Sequence, residues 1–141
     1  VHHADLMATV AEILGAKLPP SAGEDGFSLV PLLRGQNQPV REHAVSCAMN
    51  GVPSLRQGPW KLLLASGSGG FNKDRGGQGV QLYNLAEDLG ETKDLAAHEP
   101  ERVARMRALM EKLIADGRST PGPKQKNDVE VRRFPRAARS Q

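Results

Sequence analysis

The sequence predicts an α+β fold, in which a small antiparallel sheet of about four strands is packed by a C-terminal helix and preceded by a separate helix. Three observations carry this prediction. Short runs of strand-forming residues at 44–49, 54–57, 60–65 and 80–85 alternate with turn-forming residues. A helical period follows at 99–114, where Val103, Met106, Met110 and Leu113 stand at i, i+3, i+7 and i+10. A second helical period at 4–14 places Leu6, Met7, Val10, Ile13 and Leu14 on one face.

In chain order, the first helix has Asp5 near its first turn and Gly15 where it would stop. Its stripe predicts a core-facing helix of about three turns. Pro19, Pro20, Ser21, Gly23 and Gly26 impose a loop, and 27–33 is a short apolar stretch ending at Arg34-Gly35. Asn50-Gly51 between the first two strands is a strong hairpin signal, because both residues tolerate positive φ. Ser66-Gly67-Ser68-Gly69-Gly70 and Gly76-Gly77-Gln78-Gly79 make the link into the last strand a long flexible loop, of the kind that is often functional or disordered. Pro100 suits the first position of the last helix and Gly117 its stop, and the stripe is expected to pack across one sheet face. From Ser119 onward there is Pro121, Pro123 and Pro135 but no periodicity, which reads as an extended or disordered tail.

At 141 residues, 38% hydrophobic and 4% aromatic, the chain suits one modest domain with a thin core of Leu, Val, Met and Ala. No apolar run approaches the roughly 20 residues that span a bilayer, and no basic start leads into an apolar stretch, so neither a membrane span nor a signal peptide is expected. Opening at Val1 and entering a helix at once, the chain reads as a piece of a longer protein whose other part lies upstream. The single cysteine, Cys47, excludes an internal disulfide and a multi-cysteine zinc site. The net charge of +3 is unevenly placed, with 12 Lys and Arg against 14 Asp and Glu up to Gly117, and 7 against 2 from Arg118 onward. A basic tail can adhere to nucleic-acid phosphates by counterion release. Phe134 is its one aromatic and no recognition motif accompanies it, so a nucleic-acid-binding module is only an alternative and no specific nucleic acid is expected.

Two segments, Arg56-Gln57-Gly58-Pro59-Trp60-Lys61-Leu62-Leu63-Leu64 and Leu82-Tyr83-Asn84-Leu85-Ala86-Glu87-Asp88-Leu89-Gly90-Glu91-Thr92-Lys93-Asp94-Leu95, occur in an order that resembles the C-terminal subdomain of a type I sulfatase. Asp5-Leu6-x-x-Thr9, followed by Asp25-Gly26-x-Ser28-Leu29-x-Pro31-Leu32-Leu33, resembles the way sulfatases leave their alkaline-phosphatase-like catalytic domain. Gly117-Arg118-Ser119-Thr120-Pro121-Gly122 with Asn127-Asp128 resembles the end of a sulfatase subgroup.

The resemblance implies that 1–35 end the large α/β catalytic domain, that 36–117 form the C-terminal subdomain, and that 118–141 are a basic, Pro-containing extended tail. For the intact enzyme it implies hydrolysis of a sulfate ester, an aryl sulfate or a sulfated carbohydrate, by a formylglycine beside bound calcium, in a periplasmic or secreted protein. The Cys/Ser-x-Pro/Ala-x-Arg motif that yields formylglycine is missing from this chain. Formylglycine and calcium are therefore expected upstream, and the chain alone is expected to be inactive, with no catalytic residue and no metal ligand. Its implied partners are the upstream catalytic domain of the same polypeptide and a sulfated small molecule or polysaccharide. A phosphoester hydrolase of the same superfamily is the alternative, although such relatives seldom carry the Trp60-Lys61 and Leu82-Tyr83-Asn84-Leu85 pair.

In sulfatases the loops of this subdomain close over the mouth of the active site, which makes Asn50 at the hairpin tip, Arg56, Lys61 and Ser68 the candidate substrate-binding residues. A guanidinium fork matches the geometry of an oxyanion, so Arg56 suits a sulfate or acidic sugar, and Lys61 supplies a second cation. Polar residues are equally expected on alternate positions of a half-exposed strand, where Lys61 can fix the sheet against an acidic neighbour. The family often has a His shortly before Gly51, where Cys47 or Met49 stands in this chain. The 66–79 loop has bare backbone N–H groups that can cradle an oxyanion, but no Walker pattern and no following helix, so it is read as substrate rim or plain connection. Cys47 lacks the converting enzyme's recognition residues and is expected to be a small apolar strand residue. His2, His3 and Asp5 form a cluster that can bind metal but lacks further ligands, so solvated surface is expected. Asp88, Glu91 and Asp94 lack the alternation of an EF-hand and are expected to be structural.

Overall fold

The computed structural model describes residues 2–48, 51, 53–65 and 79–131. The chain divides into two units, one formed by Val1–Ala44 with Glu111–Val129 and the other by Val45–Met110 with Glu130–Gln141. The elements are α1 (Asp5–Ile13), α2 (Val30–Leu33), β1 (His43–Cys47), β2 (Pro53–Gln57), β3 (Trp60–Leu63), β4 (Gln81–Asn84) and α3 (Pro100–Asp116). No helix among the described residues is long and apolar enough to cross a membrane.

The α+β architecture and the antiparallel sheet follow the expectation closely. Four strands stand in sequence order, β1-β2-β3-β4. Gly58 and Pro59 turn the chain between the paired residues Gln57 and Trp60, and Gly58 supplies the positive φ, +56°, that a two-residue hairpin turn needs. The register sets Leu55 opposite Leu62 and Leu62 opposite Leu82, and all three are fully buried. Burying each such side chain contributes about 1.5–3 kcal/mol, so this cross-strand line is the core of the sheet unit. The free edge of β4 is covered, since Leu82 N–H donates to Asp94 Oδ1 at 3.0 Å and Leu95 N–H donates to Leu82 O at 2.8 Å.

The last helix starts at Pro100 and stops before Gly117, as its end signals indicate. Its buried stripe is narrower than the spacing predicts: Met106 and Met110 are buried, while Val103 and Leu113 are only half-buried. The Arg102 guanidinium lies 4.0 Å from the Trp60 ring centroid, a cation–π contact that ties α3 to β3.

In the other unit, α1 corrects the sequence reading. The stripe expected to face the core is exposed: Leu6, Met7, Val10, Ile13 and Leu14 are each 51–73% accessible. Asp5, Thr9 and Ala11 are the buried residues instead. Hydrogen bonds explain the inversion. Asp5 Oδ1 accepts from Phe27 N–H at 3.1 Å, and Thr9 Oγ1 accepts from Leu29 N–H at 3.0 Å while donating to Asp5 O at 2.6 Å. Gly26 is needed where the segment passes the helix, because a Cβ there would stand 2.5 Å from Ala4 O. The motif from Asp5 to Leu29 is thus a polar seam that pins 26–29 against α1.

The described part of the tail also departs from the reading as an extended or disordered segment. Thr120 Oγ1 donates to Glu24 O at 2.7 Å and Ser119 Oγ to Asp25 Oδ1 at 2.6 Å. Arg118 donates to Thr120 O, Thr120 Oγ1, Pro20 O and Pro123 O. Gln125 N–H closes the segment onto Asp116 O, and Asn127 Nδ2 onto Ile114 O. Residues 118–127 are irregular in backbone but anchored side chain by side chain.

Candidate functional site

The sheet register places the two candidate cations side by side. Arg56 stands opposite Lys61, and Lys61 opposite Tyr83. Strand residues alternate between faces, so these three share the face opposite Leu55, Leu62 and Leu82. Of the other two candidates, Asn50 and Ser68 lie outside the described residues, as does most of the 66–79 loop.

The two cations are held differently. Lys61 Nζ lies 2.6 Å from Glu91 Oε1, and both side chains are roughly a quarter to a third exposed. Arg56 is exposed, donates Nε to Gly58 O at 2.6 Å, and makes no ion pair among the described residues. Around Lys61 the field is negative. The Tyr83 hydroxyl, which donates to Gln81 Oε1 at 2.9 Å, is held above the ordinary tyrosine range by burial and then by Asp94, Glu91 and Asp88.

Those three carboxylates are occupied by the chain itself. Asp88 accepts from Thr92 N–H, Lys93 N–H and Thr92 Oγ1, and these bonds, that from Lys93 first, hold its carboxyl below the usual range. Asp94 Oδ1 accepts from Leu82 and Ala96 N–H. Glu91 takes φ of +54° while reaching Lys61.

The remaining sequence candidates are placed as follows. Cys47 lies on β1 but is exposed, correcting its reading as a small apolar packing residue. The cluster at the N-terminal end is only in part solvated surface: His3 is exposed, but Asp5 is fully buried, accepts from His2 N–H at 2.8 Å and is ion-paired to Arg41. No group of three or more His, Cys, Asp or Glu placed to hold a metal occurs among the described residues.

Arg41, which the sequence reading missed, bridges Asp5, donates to Asp25 O at 3.3 Å and lies 4.8 Å from the Phe27 ring centroid. An invariable spacing signal does not exist for such a pair, since 36 residues separate the partners. Arg41 and Phe27 line a cleft of about 430 Å³ with Val40, His43, Ser119 and Pro121. The His43 imidazole there is held below its ordinary pKa by burial, against which Glu42 acts. With the Arg41 charge satisfied by Asp5, this cleft offers a ligand no unpaired cation.

No family profile matches the chain. It is 36% identical over 109 residues to a sulfatase of Formosa agariphila, covering 71% of this chain and 19% of that protein. It is 28% identical over 117 residues to an N-acetylgalactosamine-6-O-sulfatase of Bacteroides thetaiotaomicron, covering 77% of this chain and 22% of that protein. The fold agrees with a solved chain from work on glycosaminoglycan metabolism by Bacteroides thetaiotaomicron, at a TM-score of 0.65 and 25% identity over 77% of this chain and 24% of that one. It also agrees with a 2-O GAG sulfatase, at a TM-score of 0.57 and 27% identity over 78% of this chain and 24% of that one. In sequence and in fold the chain matches the C-terminal region of sulfatases. It spans about a fifth of the length of the curated relatives it matches.

Proposed function

We propose that this chain is the C-terminal region of a secreted or periplasmic sulfatase that hydrolyses sulfate esters of a carbohydrate. The observation that carries this reading is the joint likeness in sequence and fold to sulfatases, two of which are described by their sugar or glycosaminoglycan substrates. In this reading the formylglycine and the calcium belong to the preceding part of the polypeptide. The residues of this chain do not fit either group: Cys47 lacks the conversion motif, and Asp5, Asp88 and Asp94 are engaged by backbone donors or by Arg41.

The role left for this region is to complete the fold and to form part of the substrate rim. Arg56 is the described residue suited to a sulfate or carboxylate on the substrate, being exposed and without an ion pair among the described residues. Asn50 and Ser68, which lie outside the described residues, are assigned to the same rim from their sequence positions alone. Lys61 is assigned the lesser contact because Glu91 neutralises it.

The test is the longer polypeptide ending in this chain, coexpressed with a formylglycine-generating enzyme and supplied with calcium. Sulfate release from sulfated oligosaccharides, with a small aryl sulfate turned over more slowly and a phosphate ester not at all, is the expected result. Preference for the phosphate ester would overturn the reading.

A further inference from the structure

We propose that the cleft lined by Phe27, Val40, Arg41, His43, Ser119 and Pro121 binds an uncharged sugar, whose hydroxyls pair with Arg41 Nε and His43 Nε2. The site does not rest on the sulfatase reading, and it shares no residue with the rim of Arg56 and Lys61, which belong to the other unit.

Every lining residue falls within the unit Val1–Ala44 with Glu111–Val129. The cleft's volume of about 430 Å³ lies inside the range of about 300–1,000 Å³ usual for small-molecule sites. Pro39, Val40 and Pro121 give it apolar walls that polar groups interrupt at a few positions, which is the composition such sites share. Two of those positions are incomplete. Arg41 Nε and His43 Nε2 are buried nitrogens without a hydrogen-bond partner among the described residues. Buried polar groups are nearly always paired, so two unpaired nitrogens on the wall of one cleft point to a ligand that pairs them. Neither nitrogen touches bulk solvent, so pairing involves a small rotation of each side chain, as is common when proteins bind.

The chemistry of the wall selects the ligand. Arg41 already pairs its charge with Asp5, and Glu42 adds a carboxylate to the lining, so an anion gains little there. A purely apolar ligand would leave both nitrogens buried and unpaired. Arg41 Nε belongs to a guanidinium that stays charged, so it can only donate and needs an acceptor. Burial holds the His43 imidazole below its ordinary pKa, against the Glu42 charge, and the neutral ring offers a donor or an acceptor at Nε2. A hydroxyl accepts and donates from one atom, so neighbouring hydroxyls of a sugar ring suit both nitrogens whichever tautomer His43 takes. Ser119 Oγ, which donates to Asp25, keeps acceptor capacity for a further hydroxyl.

The test is amide hydrogen exchange, read by mass spectrometry on peptides covering 40–43 and 119–120 in the longer polypeptide ending in this chain. Galactose, glucose and mannose are added one at a time, beside N-methylacetamide and inorganic sulfate as controls. At least one sugar is expected to slow exchange of both stretches about threefold or more, as a ligand at about twice its Kd would, while the controls leave them unchanged. Val40→Trp, which fills the cleft, and His43→Phe, which removes the ring nitrogens, are each expected to abolish that protection. Unchanged exchange at 54–57 and 60–63 identifies a folded variant, and if Val40→Trp fails to fold, His43→Phe carries the comparison. No protection by any of the sugars, protection that survives in the folded variants, or equal protection by N-methylacetamide or sulfate would each overturn the proposal. Protection without sulfate-ester hydrolysis would instead sink the sulfatase reading and sustain the sugar site.

Discussion

Lys61 and Glu91 meet at 2.6 Å across a β3 side chain and a turn residue whose φ is +54°. A non-glycine residue in this left-handed region costs about 1–2 kcal/mol, and a partly exposed ion pair returns about 0–1 kcal/mol. The pair therefore serves placement of the turn more than net stability. In the longer polypeptide, Lys61→Met should change kcat/KM less than about threefold, whereas Arg56→Ala should raise KM about tenfold or more on a sulfated oligosaccharide. Steady-state kinetics on both variants check this, and the reverse order would move the substrate contact from Arg56 to Lys61.

The Asp5–Arg41 pair holds a fully buried carboxylate. Removing one partner leaves the other charge buried and uncompensated, so Asp5→Asn or Arg41→Met should each cost about 3–5 kcal/mol. The double variant Asp5→Asn/Arg41→Met, which keeps a side-chain acceptor for the Phe27 N–H, should recover a large part of that loss. Urea denaturation of the wild type, the two single variants and this double variant closes the cycle and gives the coupling; additive single effects would mean that the charges do not depend on one another.

Gly117 has φ of +62°, and a Cβ on it would collide with the backbone oxygen of Gln125. Gly117→Ala therefore combines backbone strain with displacement of the segment that closes onto Asp116, and should cost about 2 kcal/mol or more. Arg118→Ala, which removes donors to four oxygens, should release the same segment. Protease sensitivity between 118 and 127 reads the release directly, and unchanged cleavage in both variants would show that the segment is held by other means.

The histidine of the cleft gives a pH dependence of known sign. Burial lowers the folded-state pKa of His43 from 6.5, so the unfolded chain takes up the proton first as pH falls. Stability should decline as pH drops through about 6.5 and level off below the depressed folded value. His43→Gln should flatten that part of the curve. Denaturation midpoints at several pH values between about 5 and 8 test it, and identical slopes in both proteins would remove His43 as the cause.

The strands were legible because each is bracketed by residues that turn for a backbone reason, such as Gly58 before Pro59, and because Leu55, Leu62 and Leu82 fall at positions the pleat brings together. The facing of α1 was not legible. Amphipathic spacing shows that one side is apolar, but not whether the same stretch of chain covers that side. On α3 the period was right and its width was not, because Met106 and Met110 take up the buried space and leave Val103 and Leu113 half-buried. The anchoring of 118–127 was hidden for another reason: Ser119 bonds to Asp25 across 94 residues, through side chains that leave no period in the sequence. The neighbouring places of Arg56 and Lys61, the proposed substrate contacts, follow from strand position, but the acidic partner of Lys61 lies 30 residues on, in a turn.

The unit that contains α1 is written in two separate stretches, Val1–Ala44 and Glu111–Val129, with the sheet unit lying between them in the chain. During synthesis the sheet strands can pair as soon as they emerge, since β1 to β4 are neighbours in sequence as well as in space. The first stretch can set its own seam of Asp5, Thr9, Phe27 and Arg41 early, but Glu24 and Asp25 receive Ser119 and Thr120 only after nearly a hundred further residues have been added. Completion of this region therefore has a direction: contacts within each stretch can form as it emerges, and the two ends are joined last.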